Sequence, residues 1–180
     1  MRMQTHGAGL AGLALLMGGI FTAPTICSGK GDSLEINKLL SEVNDHAIQL
    51  RADSDKMAAF TRSNANWESY AAQLTLIKEH INSAGQFLAN LNTERINGSI
   101  WQQTAVDRIN PLMKELAANT QTVINKLNKH PDRVHMKEFK DYVQANADLS
   151  AGLAHTIGDF VDYGNTKIKL ERLAAELELN

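Results

Sequence analysis

Residues 67–91 read WESYAAQLTLIKEHINSAGQFLANL, and the spacing of their apolar side chains decides the fold. Trp67, Leu74, Ile81 and Leu88 recur every seven residues, and Tyr70, Ile77, Ala84 and Leu91 fill the complementary positions. Two interleaved series of this period place their side chains along one seam of an α-helix, where about 3.6 residues complete a turn. A half-buried strand would instead alternate apolar and polar residues, which this stretch does not do.

The same period extends in both directions. Before it, Ile36, Leu40, Val43, Ala47, Leu50 and Met57 share a seam widened by Leu39 and Phe60, with Ser54 its polar exception. After it, Val106, Ile109, Met113, Leu116, Val123 and Leu127 form a third seam, broadened by Leu112 and Ile124. A fourth runs through Phe139, Val143, Leu153, Ile157 and Phe160, flanked by Tyr142, Leu149 and Tyr163 and interrupted by Asn146 and Ser150.

The breaks between the four segments are short. Arg62 to Asn66 (RSNAN) separates the first two, with Asn66 or Ser63 as a helix cap. Asn97 and Gly98 are expected to stop the second helix through a left-handed residue. Ser99 and Gln102 have the spacing of a capping box for the third. His130, Pro131 and Asp132 make the last turn. Loops this short force consecutive helices to run antiparallel. The sequence therefore predicts an all-α, up-down-up-down antiparallel four-helix bundle over residues 33–163, with helices of about 30 residues or roughly 45 Å. Asn110-Pro111 either opens a separate helix or kinks a continuous one, and the seam running through it in register favours the kink. Residues 164–180 read as a helical extension or tail beginning at Gly164 and Asn165. Its Ile168, Leu170, Leu173 and Leu177 make an amphipathic face, either a solvated continuation of the helix or a surface for a protein partner.

The first 28 residues are of a different kind. Arg2 precedes an uncharged run, GAGLAGLALLMGGIF at residues 7–21, and then small and turn-forming residues. This is the layout of a secretory signal peptide, with an apolar core shorter than the roughly 20 residues of a membrane span. Cleavage near Cys27 to Ser28 is at least as reasonable as after Ala23, because Pro24 is a poor first residue. The alternatives are an uncleaved anchor, or lipidation at Cys27, which the bulky Ile26 before it disfavours. Cys27 is the only cysteine of the 180-residue chain, so no internal disulfide can form. Without Arg2 the chain holds 17 basic residues against 20 acidic ones, which points away from nucleic acid and from a polybasic membrane patch. No second apolar run of spanning length follows the leader. A periplasmic or secreted protein is expected.

The chemistries that a helical bundle supports each demand a residue pattern of their own. Covalent haem needs a Cys-x-x-Cys-His run, and a di-iron centre needs Glu-x-x-His twice. The chain has neither, nor a nucleophile elbow or a phosphate-binding glycine loop. His135 and Glu138 have a ligand-like spacing but make too few ligands for a metal. Noncovalent haem would require a buried His with a Met or second His on facing helices, for which Met57 and His155 are a candidate pair, although a seam methionine ordinarily fills core space. One constellation stands out. His46 and His80 each precede a seam residue and sit at equal distance from the turn near residue 63. They are expected to meet half-way along the bundle. Counting through the later turns brings Asn146 and Ser150 near the same level, so these four residues are the candidate ligand-binding pocket. Polar seam residues that only fix helix register are the plainer reading of the same pattern.

The stretch Trp67 to Leu91, the run IWQQTA at residues 100–105, and DFVDYG at residues 159–164 are similar to uncharacterised exported helical-bundle proteins of bacteria. That resemblance implies an architecture and a compartment, and carries no functional residues. The expectation is a non-enzymatic exported module, without a cofactor, that binds a partner through helix faces or its C-terminal extension. The alternative is a periplasmic bundle that binds a small molecule or metal in the mid-level pocket.

Overall fold

The computed structural model describes residues 30–63 and 65–178, so the leader and Cys27 lie outside the described residues. Four long helices account for nearly all of it: α1 (Leu34–Phe60), α2 (Trp67–Glu94), α3 (Ile100–Lys129) and α4 (Lys137–Glu176). Short 3₁₀ turns at Arg95–Asn97 and Pro131–Arg133 lead into α3 and α4. Each helix packs on the helices next to it in sequence, and α4 closes the ring on α1. This is the antiparallel four-helix bundle that the heptads predict.

The caps follow from the sequence. Ser33 Oγ accepts the amide of Ile36 at 3.3 Å, and Asn66 Oδ1 accepts that of Ser69 at 3.1 Å. Each such cap satisfies an amide that the first helical turn leaves free, an effect typically of about 1 kcal/mol. Gln102 Oε1 accepts the Ser99 amide at 3.0 Å, as a capping box does. Gly98 departs from expectation. Its backbone is extended, with φ −82°, and the 3₁₀ turn rather than a left-handed residue ends α2. The glycine leaves room for Ile36, whose Cδ1 would stand 2.7 Å from a Cβ there and would have to shift.

The core follows the seams. Ile36, Leu40, Val43, Ala47, Leu50 and Met57 of α1 are fully buried against Ile77, Ala84 and Leu91 of α2, Ile109 and Leu116 of α3, and Leu153 and Ile157 of α4. Tyr70 is wedged edge-on between Phe60 and Phe139, with ring centroids 5.6 and 5.2 Å away. Trp67 is an exception among the predicted seam residues: it lies in the first turn of α2 and is exposed. α3 runs unbroken through Pro111.

Of the helical extension and the tail that the sequence allows after Gly164, the structure shows the extension: α4 runs on through Gly164 to Glu176, making 40 residues where α1 has 27. At about 1.5 Å per residue it outruns α1 by nearly 20 Å. Gly164 is buried and lies under Trp101, where a Cβ would meet Trp101 Cη2 at 2.9 Å. Its lack of a side chain serves the packing of the indole, not the end of the helix.

Candidate functional site

The four residues singled out in the sequence fall into two separate clusters. His46 on α1 and His80 on α2 do meet, with Nδ1 to Nδ1 at 3.4 Å. They lie half-buried on the flank between the two helices, and the His46 ring stacks on Phe87 at a centroid distance of 5.6 Å. His80 Nε2 faces Asp53 Oδ2 at 3.4 Å, and Asp53 Oδ1 accepts from Gln73 Nε2 at 2.8 Å. A row of four polar side chains thus runs Gln73, Asp53, His80, His46.

The geometry constrains the protons. Two facing Nδ1 atoms require one ring to donate and the other to accept, so at least one imidazole is neutral. With Nε2 against a carboxylate, a neutral His80 carries its proton there and accepts from His46 at Nδ1. Charging both rings would set two N–H groups against each other and separate them. The two nitrogens of His80 face different partners on opposite sides of its ring, so no single cation would be reached by His46, His80 and Asp53 in this arrangement. No group of three or more His, Cys, Asp or Glu that could hold a metal ion occurs among the described residues.

Asn146 and Ser150 lie elsewhere, within the bundle core, and both are completely buried. They meet Ser54 of α1, which is eight residues or roughly 12 Å along the helix from His46. The expectation of one shared pocket fails here, because α4 packs directly on α1 in a register that counting through three successive turns did not reproduce. Ser150 Oγ is 2.8 Å from Ser54 Oγ and 2.6 Å from the Asn146 carbonyl oxygen. A serine hydroxyl has one proton. Ser150 therefore donates to that carbonyl and accepts from Ser54, which in turn lies 3.5 Å from Asn146 Nδ2. Asn146 Oδ1 accepts from Thr120 Oγ1 at 2.7 Å and from Asn119 Nδ2 at 3.0 Å. The network satisfies its members internally, as a register-fixing core cluster does.

The other candidates separate too. Glu138 pairs with Lys126 at 2.6 Å, not with His135. Met57 is buried in the core, whereas His155 is exposed beside Asp159 at 3.6 Å.

A third polar cluster, at the end where α1 and α3 begin, was not foreseen. Asp32 Oδ1 accepts from Trp101 Nε1 and Oδ2 from Lys167 Nζ, each at 2.8 Å. Burial would raise the Asp32 pKa, but hydrogen bonds from Lys167, Ser99 and Trp101 and the Lys167 charge outweigh it and hold the carboxyl below its ordinary value. Gln102, fully buried, accepts from the amides of Ser33 and Ser99 and donates to the Ser33 carbonyl and Asn37 Oδ1, both at 2.8 Å. These bonds pin the entry of α1, the start of α3 and the far part of α4 to one another.

Around this clasp lie two open grooves. One of about 400 Å³ is lined by Trp101, Arg108, His155, Asp159, Phe160 and Tyr163, with the Arg108 guanidinium 5.6 Å from the Phe160 ring centroid. The other, about 480 Å³, is lined by Lys30, Ile100, Trp101, Tyr163 and Lys167 among others. Trp101 and Tyr163 meet edge to face at 5.1 Å and are shared by both. Beyond them the projecting part of α4 carries Leu170 and Leu173, and Leu177 caps its end, all three exposed. Together these bring exposed apolar side chains and the cationic Lys30, Arg108 and Lys167 to one end of the bundle. Neither family models nor curated proteins nor solved structures match the chain.

Asp53, Gln73, Thr120 and the Asp32–Trp101–Lys167 clasp were missed from sequence. Thr120 did carry a signal, since it falls on the third seam between Leu116 and Val123. The clasp carried none, because its members are 69 and 66 residues apart.

Proposed function

We propose that this chain is an exported, non-enzymatic binding module that engages its partner at one end of the bundle. The engaging surface is the projecting part of α4 with the adjoining Trp101–Tyr163 grooves. One observation carries this reading: a 40-residue helix extends past its neighbours and presents Leu170, Leu173 and Leu177 to solvent, 65%, 38% and 63% exposed. Contiguous apolar surface on a helix that stands clear of its own core is the usual mark of an interaction face. The clasp supports it, because it holds the base of the projection rigid, and a pre-ordered face loses less entropy on binding. No helix of the described residues is long and apolar enough to cross a membrane, and the slight excess of acid is unsuited to a polyanion. Export is carried by the residue pattern of the leader alone.

The reading is tested by cross-linking the native protein in the extract of its source, alongside a variant with Leu170, Leu173 and Leu177 all changed to Ser. Cross-linked species should form with the native protein and vanish with the variant while helicity is retained. Identical cross-links from both would remove the end surface as the binding face.

A second reading, small-molecule or metal binding, is favoured by the His46–His80 contact. Titration with zinc, followed by the heat of binding, separates the two. Saturable binding abolished by His46→Gln and by His80→Gln would move the function to the flank cluster.

A further inference from the structure

The projecting part of α4 has a charge pattern that specifies its own partner. At about 100° per residue, Leu170, Leu173, Ala174 and Leu177 fall on one stripe in line with Tyr163. Lys169 and Glu176 border the stripe on one side, and Lys167 and Glu171 border it on the other. Each border is thus basic nearer the bundle and acidic nearer the tip, where Glu178 follows the helix end.

We propose that two copies of this chain associate through antiparallel pairing of their α4 projections; this rests on the end surface being the binding face. In an antiparallel pair of identical helices each border faces its own copy run backwards, and every contact is made twice about the two-fold axis. Lys169 then faces Glu176 of the second copy, and Lys167 faces its acidic tip. In a parallel pair the two borders face one another in register: Lys169 then stands midway between Lys167 and Glu171 of the second copy and gains no net attraction, and Glu176 falls beside Glu178. Like charges at such positions select against an arrangement.

The apolar residues agree with the same register. Pairing Lys169 with Glu176 puts the two-fold axis between Arg172 and Leu173, so Leu173, the least exposed of the three leucines, packs against its own counterpart. Leu170 falls between Ala174 and Leu177 of the second copy. That copy's Leu177 reaches the level of Ile168, at the mouth of the groove lined by Ile100, Tyr163 and Lys167. The groove thereby receives the tip of the opposite helix. Three leucines and a groove per copy make a small interface, so the association is reversible and concentration-dependent.

Sedimentation equilibrium of the full chain is the test, with circular dichroism to check each variant's helicity. The native protein should pass from monomer to dimer as concentration rises. Lys169→Glu sets acid against acid at two symmetric positions and should weaken association about tenfold. Glu176→Lys should do the same, and the double variant Lys169→Glu/Glu176→Lys should restore the native affinity, which only antiparallel pairing in this register predicts. A monomer at all concentrations overturns the proposal, and so does a dimer indifferent to Lys169→Glu, or a double variant no better than the singles. If the native chain stays monomeric while its cross-links to another protein still depend on the three leucines, self-pairing falls and the end surface stands as a binding face.

Discussion

Asn146 is the position at which the buried network can be made to report its own energetics. Replacing it with Ala removes the acceptor of the Thr120 hydroxyl, which lies 2.7 Å away and is 2% exposed. Asn119 is less affected, because its Nδ2 also reaches the Tyr142 carbonyl at 3.2 Å. A buried hydroxyl left without a partner costs about 1–3 kcal/mol. The void left by the amide adds about 1 kcal/mol. The expected loss is therefore about 2–4 kcal/mol, a large share of the roughly 5–15 kcal/mol that holds a domain folded. Thr120→Val alone is milder, about 1 kcal/mol, since Asn146 Oδ1 still accepts from Asn119 at 3.0 Å. In the double variant no hydroxyl is orphaned. Its loss should fall short of the sum of the singles by about 1–2 kcal/mol. Urea unfolding followed by far-UV circular dichroism measures all three. Strict additivity, or an Asn146→Ala loss within error of zero, would refute the assignment of Asn146 as the hub of the core network.

Three further outcomes follow from the clasp and the helices. Asp32 has a folded-state pKa below its ordinary value, so its stabilisation is complete above the unfolded carboxylate value of about 3.9 and is lost as pH falls through the lower folded value. Asp32→Asn should flatten the dependence of urea midpoint on pH below about 4, and an unchanged slope would remove Asp32 from the clasp. Gly164→Ala forces a Cβ to 2.9 Å from Trp101 Cη2. With the indole tied to Asp32, a loss of about 1–3 kcal/mol is expected, relieved when Trp101→Phe is added; calorimetry of both variants checks it. Pro111→Ala restores an amide in the middle of α3 and should raise stability by about 1–3 kcal/mol, read as a higher thermal midpoint.

Asp32 stands before the first helix and Lys167 beyond the last predicted core residue, so each looks like solvated charge when taken alone. Their 2.8 Å contact, made across Trp101, joins the beginning and end of the bundle and carries α4 outward in a fixed direction. The same residues that close the domain thus shape the grooves beside the projecting helix.

Seam spacing alone determined the four helices, their antiparallel order and the meeting of His46 with His80, because a helix repeats its face at a fixed period and a short turn fixes the level of the next one. It also marked Asn146 and Ser150 as polar residues on an apolar seam. Only the tertiary structure decided which residues they face, since the register of α4 on α1 depends on packing between helices that share no turn. The continuation of α4 past Gly164 was decided there as well. A glycine and an asparagine favour a helix end locally, but the Trp101 indole packs on the bare backbone and Lys167 is held by Asp32, and those contacts outweigh the local preference.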